Sequence, residues 1–290
     1  MLHGGDLYGI RSKYDAAIER IRMFEPADGY FIAFSGGKDS QCVLHLAEEA
    51  GVKYDAHYHL TTVDPPELVK FIKQHYPDVA IEHPPMTMWQ LIEKKRMPPT
   101  HKARYCCDVL KEGGGKGRTV ITGVRWAESV SRRKKRSVLE LNAYSNHKIR
   151  LNNDNDEARR MYEACVMKNR HILNPIVDWT DEEVWEYLDG NGIQHCSLYD
   201  EGFKRLGCIG CPLAGSKNMI REFERWPKYK DAYLRAFDKM LISNAEDGVK
   251  CKWPDAQAVM DWWLRSDEDD DRGGGQAVHT LENFEGGGLT

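Results

Sequence analysis

Apolar positions along the first half of the chain switch between two periods. Ile10, Tyr14, Ala17, Ile18 and Ile21 recur at helical spacing and predict an amphipathic helix over 6–24. Tyr30-Phe31-Ile32-Ala33-Phe34 is an unbroken apolar run of strand length that stops at Ser35-Gly36-Gly37. Cys42, Val43, Leu44, Leu46 and Ala47 then predict a buried helix closed by Gly51. Further along, 53–60 reads as a strand, 66–76 as a helix opening on proline, 79–81 as a short strand, 86–95 as a helix and 119–124 as a strand. This alternation predicts an α/β fold, a largely parallel twisted sheet with helices on both faces.

The pattern weakens over 131–170, which holds the basic run Arg132-Arg133-Lys134-Lys135-Arg136 and an Asn/Asp-rich stretch at 152–156. It reads as an insertion or mobile segment over the ligand-binding face. Thr180 and Glu183 form a capping-box signal for a helix with Val184, Tyr187 and Leu188 on its apolar side. Residues 216–265 read as a small aromatic-rich helical region. From Ser266 an acidic run and two glycine triplets predict a disordered tail. The expected division is 1–215, 216–265 and 266–290.

Composition narrows the function classes. Lys+Arg number 41 and Asp+Glu 45, giving a net charge of −4, so basicity of the whole chain does not describe it and only a local basic patch remains. No apolar run reaches the roughly 18–20 residues of a membrane span, so no membrane association is expected. The first ten residues carry no secretory pattern, and the eight cysteines are too few for a disulfide scaffold. A reducing, cytoplasmic setting is the expectation.

Chemistry concentrates first in Ser35-Gly36-Gly37-Lys38-Asp39-Ser40, between strand and helix. Glycines let backbone N–H groups approach an anion, and the helix that follows aims its positive end at the same point. Ser35 and Ser40 supply hydroxyls, Lys38 a cation for phosphate, and Asp39 a carboxylate for Mg²⁺. The Walker A spacing is absent. Asp64, after the second strand, lies where open parallel sheets bind ligands, or simply forms a turn before proline. His57 and His59 share a strand face without a third ligand nearby in sequence.

A second constellation is the adjacent pair Cys106-Cys107 with the C-x-x-C pair Cys208 and Cys211. Thiolates are soft ligands, and the residues alone leave three readings open: separate buried thiols, a four-cysteine zinc site, or a [4Fe–4S] cluster.

Several ordered motifs together resemble the phosphoadenosine phosphosulfate (PAPS) reductase family of the PP-loop ATP-pyrophosphatase superfamily. They are the S-G-G-K-D-S loop, Arg104-Tyr105-Cys106-Cys107, Gly123-Val124-Arg125-Trp126-Ala127-Glu128-Ser129 with Arg132, Asn174-Pro175-Ile176-Val177-Asp178-Trp179-Thr180, and Leu198-Tyr199 with Gly202. The resemblance covers about 28–215. It implies an adenine-nucleotide α-hydrolase-like fold and a [4Fe–4S] cluster on Cys106, Cys107, Cys208 and Cys211. It also implies nucleotide contacts from Gly123, Arg125 and Glu128, with Lys38, Asp39 and Arg125 as the catalytic set.

Two departures from the reductases shape the functional expectation. The C-terminal Glu-Cys-Gly-(Ile/Leu)-His segment is missing; the one late cysteine is Cys251, between Lys250 and Lys252. The phosphate loop is intact, which suits ATP. The chain is therefore similar to the iron–sulfur branch that includes the DNA phosphorothioation sulfur-transfer protein. That likeness implies ATP·Mg²⁺ cleaved to AMP and pyrophosphate, and sulfur transfer from a donor such as a cysteine desulfurase or thiol carrier. A nucleic acid is the candidate acceptor, with the 132–136 run against its backbone. The alternatives are reduction of PAPS or adenylyl sulfate to sulfite, and a non-catalytic nucleotide- or redox-sensing subunit.

Overall fold

The computed structural model describes residues 12–111, 113–141, 149–151 and 171–270. The chain divides into two compact units, one of Met1–Met88 with Tyr105–Ile209, the other of Trp89–Arg104 with Gly210–Thr290.

The first unit is built on a sheet of β1 (Tyr30–Ala33), β2 (Tyr54–His59), β3 (Ala80–Glu82), β4 (Thr119–Ile121), β5 (Leu139–Leu141), β6 (Ile149–Leu151) and β7 (His171–Leu173). Their order is β3-β2-β1-β4-β7-β5-β6. β1 pairs in parallel with β2 and β4, β2 with β3, and β4 with β7. β5 runs antiparallel to both β7 and β6. The sheet is thus mostly parallel, with helices around it, as the alternation predicted. The chain winds outward from β1 through β2 to β3, then returns to place β4 on the other side of β1. That reversal opens a crevice at the C-terminal ends of β1 and β4, where open α/β sheets hold ligands.

The helices form for the reasons visible in the pattern. In α1 (Lys13–Met23) Ala17, Ile18 and Ile21 are buried and Ser12 caps the first turn by accepting from Asp15 N. In α2 (Lys38–Ala50) the run Cys42, Val43, Leu44, Leu46 and Ala47 is buried, and Gly51 closes the helix in the left-handed conformation at φ 70°. Leu44, Leu46, Ile32, Ile121 and Leu173 each contribute about 1.5–3 kcal/mol by leaving water. The shorter α3 (Pro66–His75), α4 (Met88–Lys95), α5 (Tyr105–Leu110) and α6 (Val130–Lys135) follow, then α7 (Asp181–Gly190). Thr180 and Glu183 make the reciprocal capping box of α7 that their spacing predicted.

The second unit contains α8 (Ser216–Arg225), α9 (Pro227–Glu246) and α10 (Ala256–Asp270). Phe223, Tyr233, Phe237, Met240 and Trp263 fill its core. The segment 89–104 belongs here because Trp89 stands edge-on to Tyr233 at 4.9 Å and Trp263 Nε1 donates to Pro99 O at 2.6 Å.

Two expectations are corrected. Residues 266–270, expected within a disordered tail, continue α10 to Asp270; the buried stripe of Val259, Met260 and Trp263 sets the helix, and no glycine or proline interrupts it. The stretch 131–170 is not only an insertion: Arg132–Lys135 of the basic run lie on α6 with Arg136 at its C-cap, and β5 and β6 extend the sheet. Strands of three residues are too short for a period of two to declare itself. The Asn/Asp-rich 152–156, Cys165 and residues beyond 270 lie outside the described residues.

Candidate active site

The crevice between β1 and β4 is lined by the loop that follows each strand. After β1 the chain turns through Gly36 at φ 70° into the first turn of α2. An L side chain is strained there, and a Cβ on Gly36 would come within 2.7–2.8 Å of Ile72 and Leu68. Ser40 Oγ accepts from Ser35 N at 3.1 Å and donates to Gly37 O at 2.8 Å, and it lies 3.1 Å from Ser35 Oγ. The two serines therefore brace the loop, and Lys38 begins the helix that follows it.

After β4, Gly123 passes so close to the first turn of α2 that an added Cβ would sit 2.7 Å from the backbone carbon and oxygen of Asp39. Two residues later Arg125 turns its side chain inward and is 1% exposed. Its Nε donates to Asp39 Oδ1 at 2.7 Å, its Nη1 to Trp179 O at 3.2 Å, and its Nη2 to Asp181 Oδ1. Lys38 Nζ lies 3.1 Å from Asp39 Oδ1 and 3.0 Å from Asp181 Oδ1. Two cations and two carboxylates thus form a closed square. Burial works to lower the Arg125 pKa, but Asp39 and Asp181 outweigh it and hold the guanidinium above its ordinary range. Burial likewise works to raise Asp181, and Lys38 with Arg125 keeps its carboxyl below the usual range.

Other expected residues take supporting positions. Glu128 Oε1 accepts from Arg125 N at 3.0 Å and pairs with Arg132, so it fixes the arginine's backbone. Asp64 Oδ2 accepts from Thr61 N at 2.6 Å, within a loop where Thr62 holds φ 67°. His57 lies between carboxylates, 2.9 Å from Glu82 and 2.5 Å from Asp55, and its ring stacks on Phe31. Burial and the nearby charge of Arg205 hold Arg132 below the ordinary arginine range despite Glu128. Arg133, Lys134 and Lys135 are exposed.

The cysteines suit an iron–sulfur cluster in kind. Cys106, Cys107, Cys208 and Cys211 are all half-buried. Cys106 and Cys107 lie on α5, and Cys208 Sγ is 3.4 Å from Thr61 Oγ1. Cys211 stands at the N-cap position of the 3₁₀ turn Pro212–Ala214. Among the described residues, however, no three Cys, His, Asp or Glu side chains are grouped as metal ligands.

Two site residues escaped the sequence reading. Asp181 was legible only as part of a helix start, although its carboxylate reaches Lys38 and Arg125. Tyr199 was one element of a motif, yet its Oη accepts from Lys38 N at 2.9 Å. Burial raises the phenol's pKa, so it stays a neutral hydroxyl there.

Comparison with known proteins places the chain in a family. The model of the phosphoadenosine phosphosulfate reductase domain matches residues 29–214. The chain is 29% identical over 57% of its length to a sulfate adenylyltransferase subunit 2 of Sulfurovum, covering 58% of that protein. It is 26% identical over 55% of its length to an adenosine 5'-phosphosulfate reductase of Oceanobacillus iheyensis, covering 60% of it. The chain spans 44% of a longer Methanocaldococcus jannaschii protein with which it shares 27% identity. Among solved structures, the PAPS reductase of Candida auris in a phosphate complex aligns with TM-score 0.44 and 16% identity over 67% of this chain and 88% of that one. Among the described residues no helix is long and apolar enough to cross a membrane.

Proposed function

Because the chain belongs to the phosphoadenosine phosphosulfate reductase domain family, we propose that it is an enzyme that cleaves ATP between its α and β phosphates and uses the adenylated acceptor for sulfur transfer. The observation that carries this reading is the intact Ser35–Ser40 loop at the sheet's switch point, with Lys38 and Arg125 converging on its helix N-terminus. An oxygen of the acceptor attacks the α phosphorus, the α–β bridging bond breaks, and pyrophosphate leaves with the electron pair. The terminal sulfur of a carrier persulfide then attacks the adenylylated centre, AMP departs with the oxygen, and a second thiol cleaves the remaining S–S bond, forming a disulfide with the carrier and releasing the thio product.

The chain's own groups serve the first step. Charge accumulates on the leaving pyrophosphate, and Lys38, Arg125 and the first N–H groups of α2 stand where fixed positive charge stabilises it. Arg125 is held by Asp39, Trp179 O and the Glu128 contact to its backbone, so its orientation is set before the nucleotide arrives. Mg²⁺ enters as the counter-ion of the triphosphate. Asp39 as placed spends its carboxylate on Lys38 and Arg125.

The cluster on Cys106, Cys107, Cys208 and Cys211 belongs to the proposal on the chemistry of its donor set. The exposed cations of α6 support a polyanionic acceptor such as a nucleic acid. The name of the Oceanobacillus iheyensis relative and that of the family model favour a second reading, in which adenylyl sulfate or PAPS is the substrate and sulfite the product. Incubation with ATP·Mg²⁺ and, separately, with PAPS tests them. Pyrophosphate from ATP supports the first; sulfite from PAPS without ATP consumption replaces it with the second.

A further inference from the structure

Lys38 and Arg125 are held by oxygens of the chain itself. The Asp181 carboxylate binds Lys38 Nζ at 3.0 Å and Arg125 Nη2. The Tyr199 hydroxyl accepts from Lys38 N at 2.9 Å, and it lies 3.3 Å from where a Cβ on Gly37 would stand. Both oxygens come from one stretch of chain, α7 and the turn after it. Trp185 of α7 ties the two by standing edge-on to Tyr199 at 5.0 Å. The side chains they hold are buried, 7% exposed for Lys38 and 1% for Arg125, whereas that of Asp181 is 64% exposed.

We propose that Asp181 and Tyr199 are place-holders that set the ligand selectivity of the phosphate loop. They fill the positions of phosphoryl oxygens and yield them to a ligand with two adjoining phosphoryl groups. The inference rests on the phosphate-loop reading above and deepens it. An empty site of buried cations and an orphan amide would carry a large desolvation cost, which the two oxygens remove. A neutral hydroxyl is a weaker partner for an amide than a phosphate oxyanion, whose hydrogen bonds are charge-assisted. Asp181 is more than half in solvent and rehydrates readily once released. A diphosphate offers oxygens and charge for both vacated positions. A single phosphate replaces one place-holder and leaves the other in competition with it. Selectivity here comes from an internal competitor as much as from attraction.

The test is calorimetric binding of inorganic pyrophosphate and orthophosphate to the full chain and to the Asp181→Asn, Tyr199→Phe and doubly substituted variants. Thermal melts accompany each variant, and Tyr199→Phe, which keeps the ring, carries the test if Asp181→Asn does not fold. The expected result is that Asp181→Asn tightens orthophosphate about tenfold and pyrophosphate less, narrowing the preference between them. Tyr199→Phe is expected to tighten both ligands severalfold. Wild type that binds pyrophosphate while the variants bind equally or more weakly overturns this inference and leaves the phosphate-loop reading standing. Absence of pyrophosphate binding in every form overturns both. Binding in the double variant alone supports the place-holders in their strongest form.

Discussion

Arg125 and Asp39 are joined twice: Arg125 Nε donates to Asp39 Oδ1 at 2.7 Å, and Gly123, two residues before the arginine, runs against the backbone of Asp39. The loop after β4 and the first turn of α2 are therefore one rigid piece. The position of the arginine's charge relative to the phosphate loop follows from that contact.

Replacing Arg125 tests the value of the fork. Arg125→Lys keeps the charge but cannot reach Asp39, Asp181 and Trp179 O together. Turnover is expected to fall about 10²–10³-fold, the usual effect of removing one oriented donor. Arg125→Ala leaves carboxylates without their partner and is expected to cost about 3–5 kcal/mol in urea unfolding. An Arg125→Lys enzyme with unchanged kcat would remove the arginine from the site.

Gly123 tests the close approach. Gly123→Ala puts a methyl group 2.7 Å from Asp39 backbone atoms, which cannot move without moving α2. The expected cost is about 1–3 kcal/mol, with weaker nucleotide binding alongside it. Gly51→Ala, where a Cβ meets nothing within 4 Å but φ is 70°, serves as the comparison: it strains the chain without touching the site.

Much of this site was legible because its signals are local. An apolar run ending in Ser-Gly-Gly, followed by a buried helix, marks a strand–loop–helix unit within a few residues, and the alternation placed it in a parallel sheet. Thr180 and Glu183 announced a helix start for the same reason. Asp181 could not be read as a ligand of Lys38, because the contact joins residues 143 apart and depends on α7 packing beside α2. Tyr199 needed the turn that follows α7. The short β5, β6 and β7 are held by their neighbours rather than by their own pattern. The segment 89–104 showed helical spacing at its start, but only tertiary packing of Trp89 and Pro99 assigns it to the second unit.

Glu222 gives the second unit a pH signature. Its carboxylate accepts from Gly210 N at 2.7 Å, but burial raises its pKa from an ordinary 4.5 to about 7. A carboxyl that ionises less readily when folded leaves stability whole below about pH 4.5 and erodes it as pH rises toward 7. Glu222→Gln keeps an acceptor for the amide and removes the charge. The variant is expected to match wild type near pH 4 and to exceed it above pH 7, by at most about 3 kcal/mol. Urea midpoints across that range measure it; a constant difference at all pH values would contradict the assignment.

The cysteine quartet is tested by iron and acid-labile sulfide after anaerobic purification. Metal binding and the ordering of its site are coupled, so metal content reports directly on the quartet. The expected content is about four irons per chain, as one [4Fe–4S] cluster requires, with loss in Cys208→Ala. Zinc in place of iron, or metal unchanged in Cys208→Ala, would overturn the cluster.

The most direct test of the central claim is pyrophosphate release from ATP·Mg²⁺ by the anaerobically purified chain, with nucleic acid and with a persulfide donor, beside a Lys38→Ala control. The adenylation account predicts stoichiometric AMP and pyrophosphate that rise with acceptor and vanish in the control. ATP left intact while PAPS yields sulfite would contradict it and make this chain a sulfonucleotide reductase.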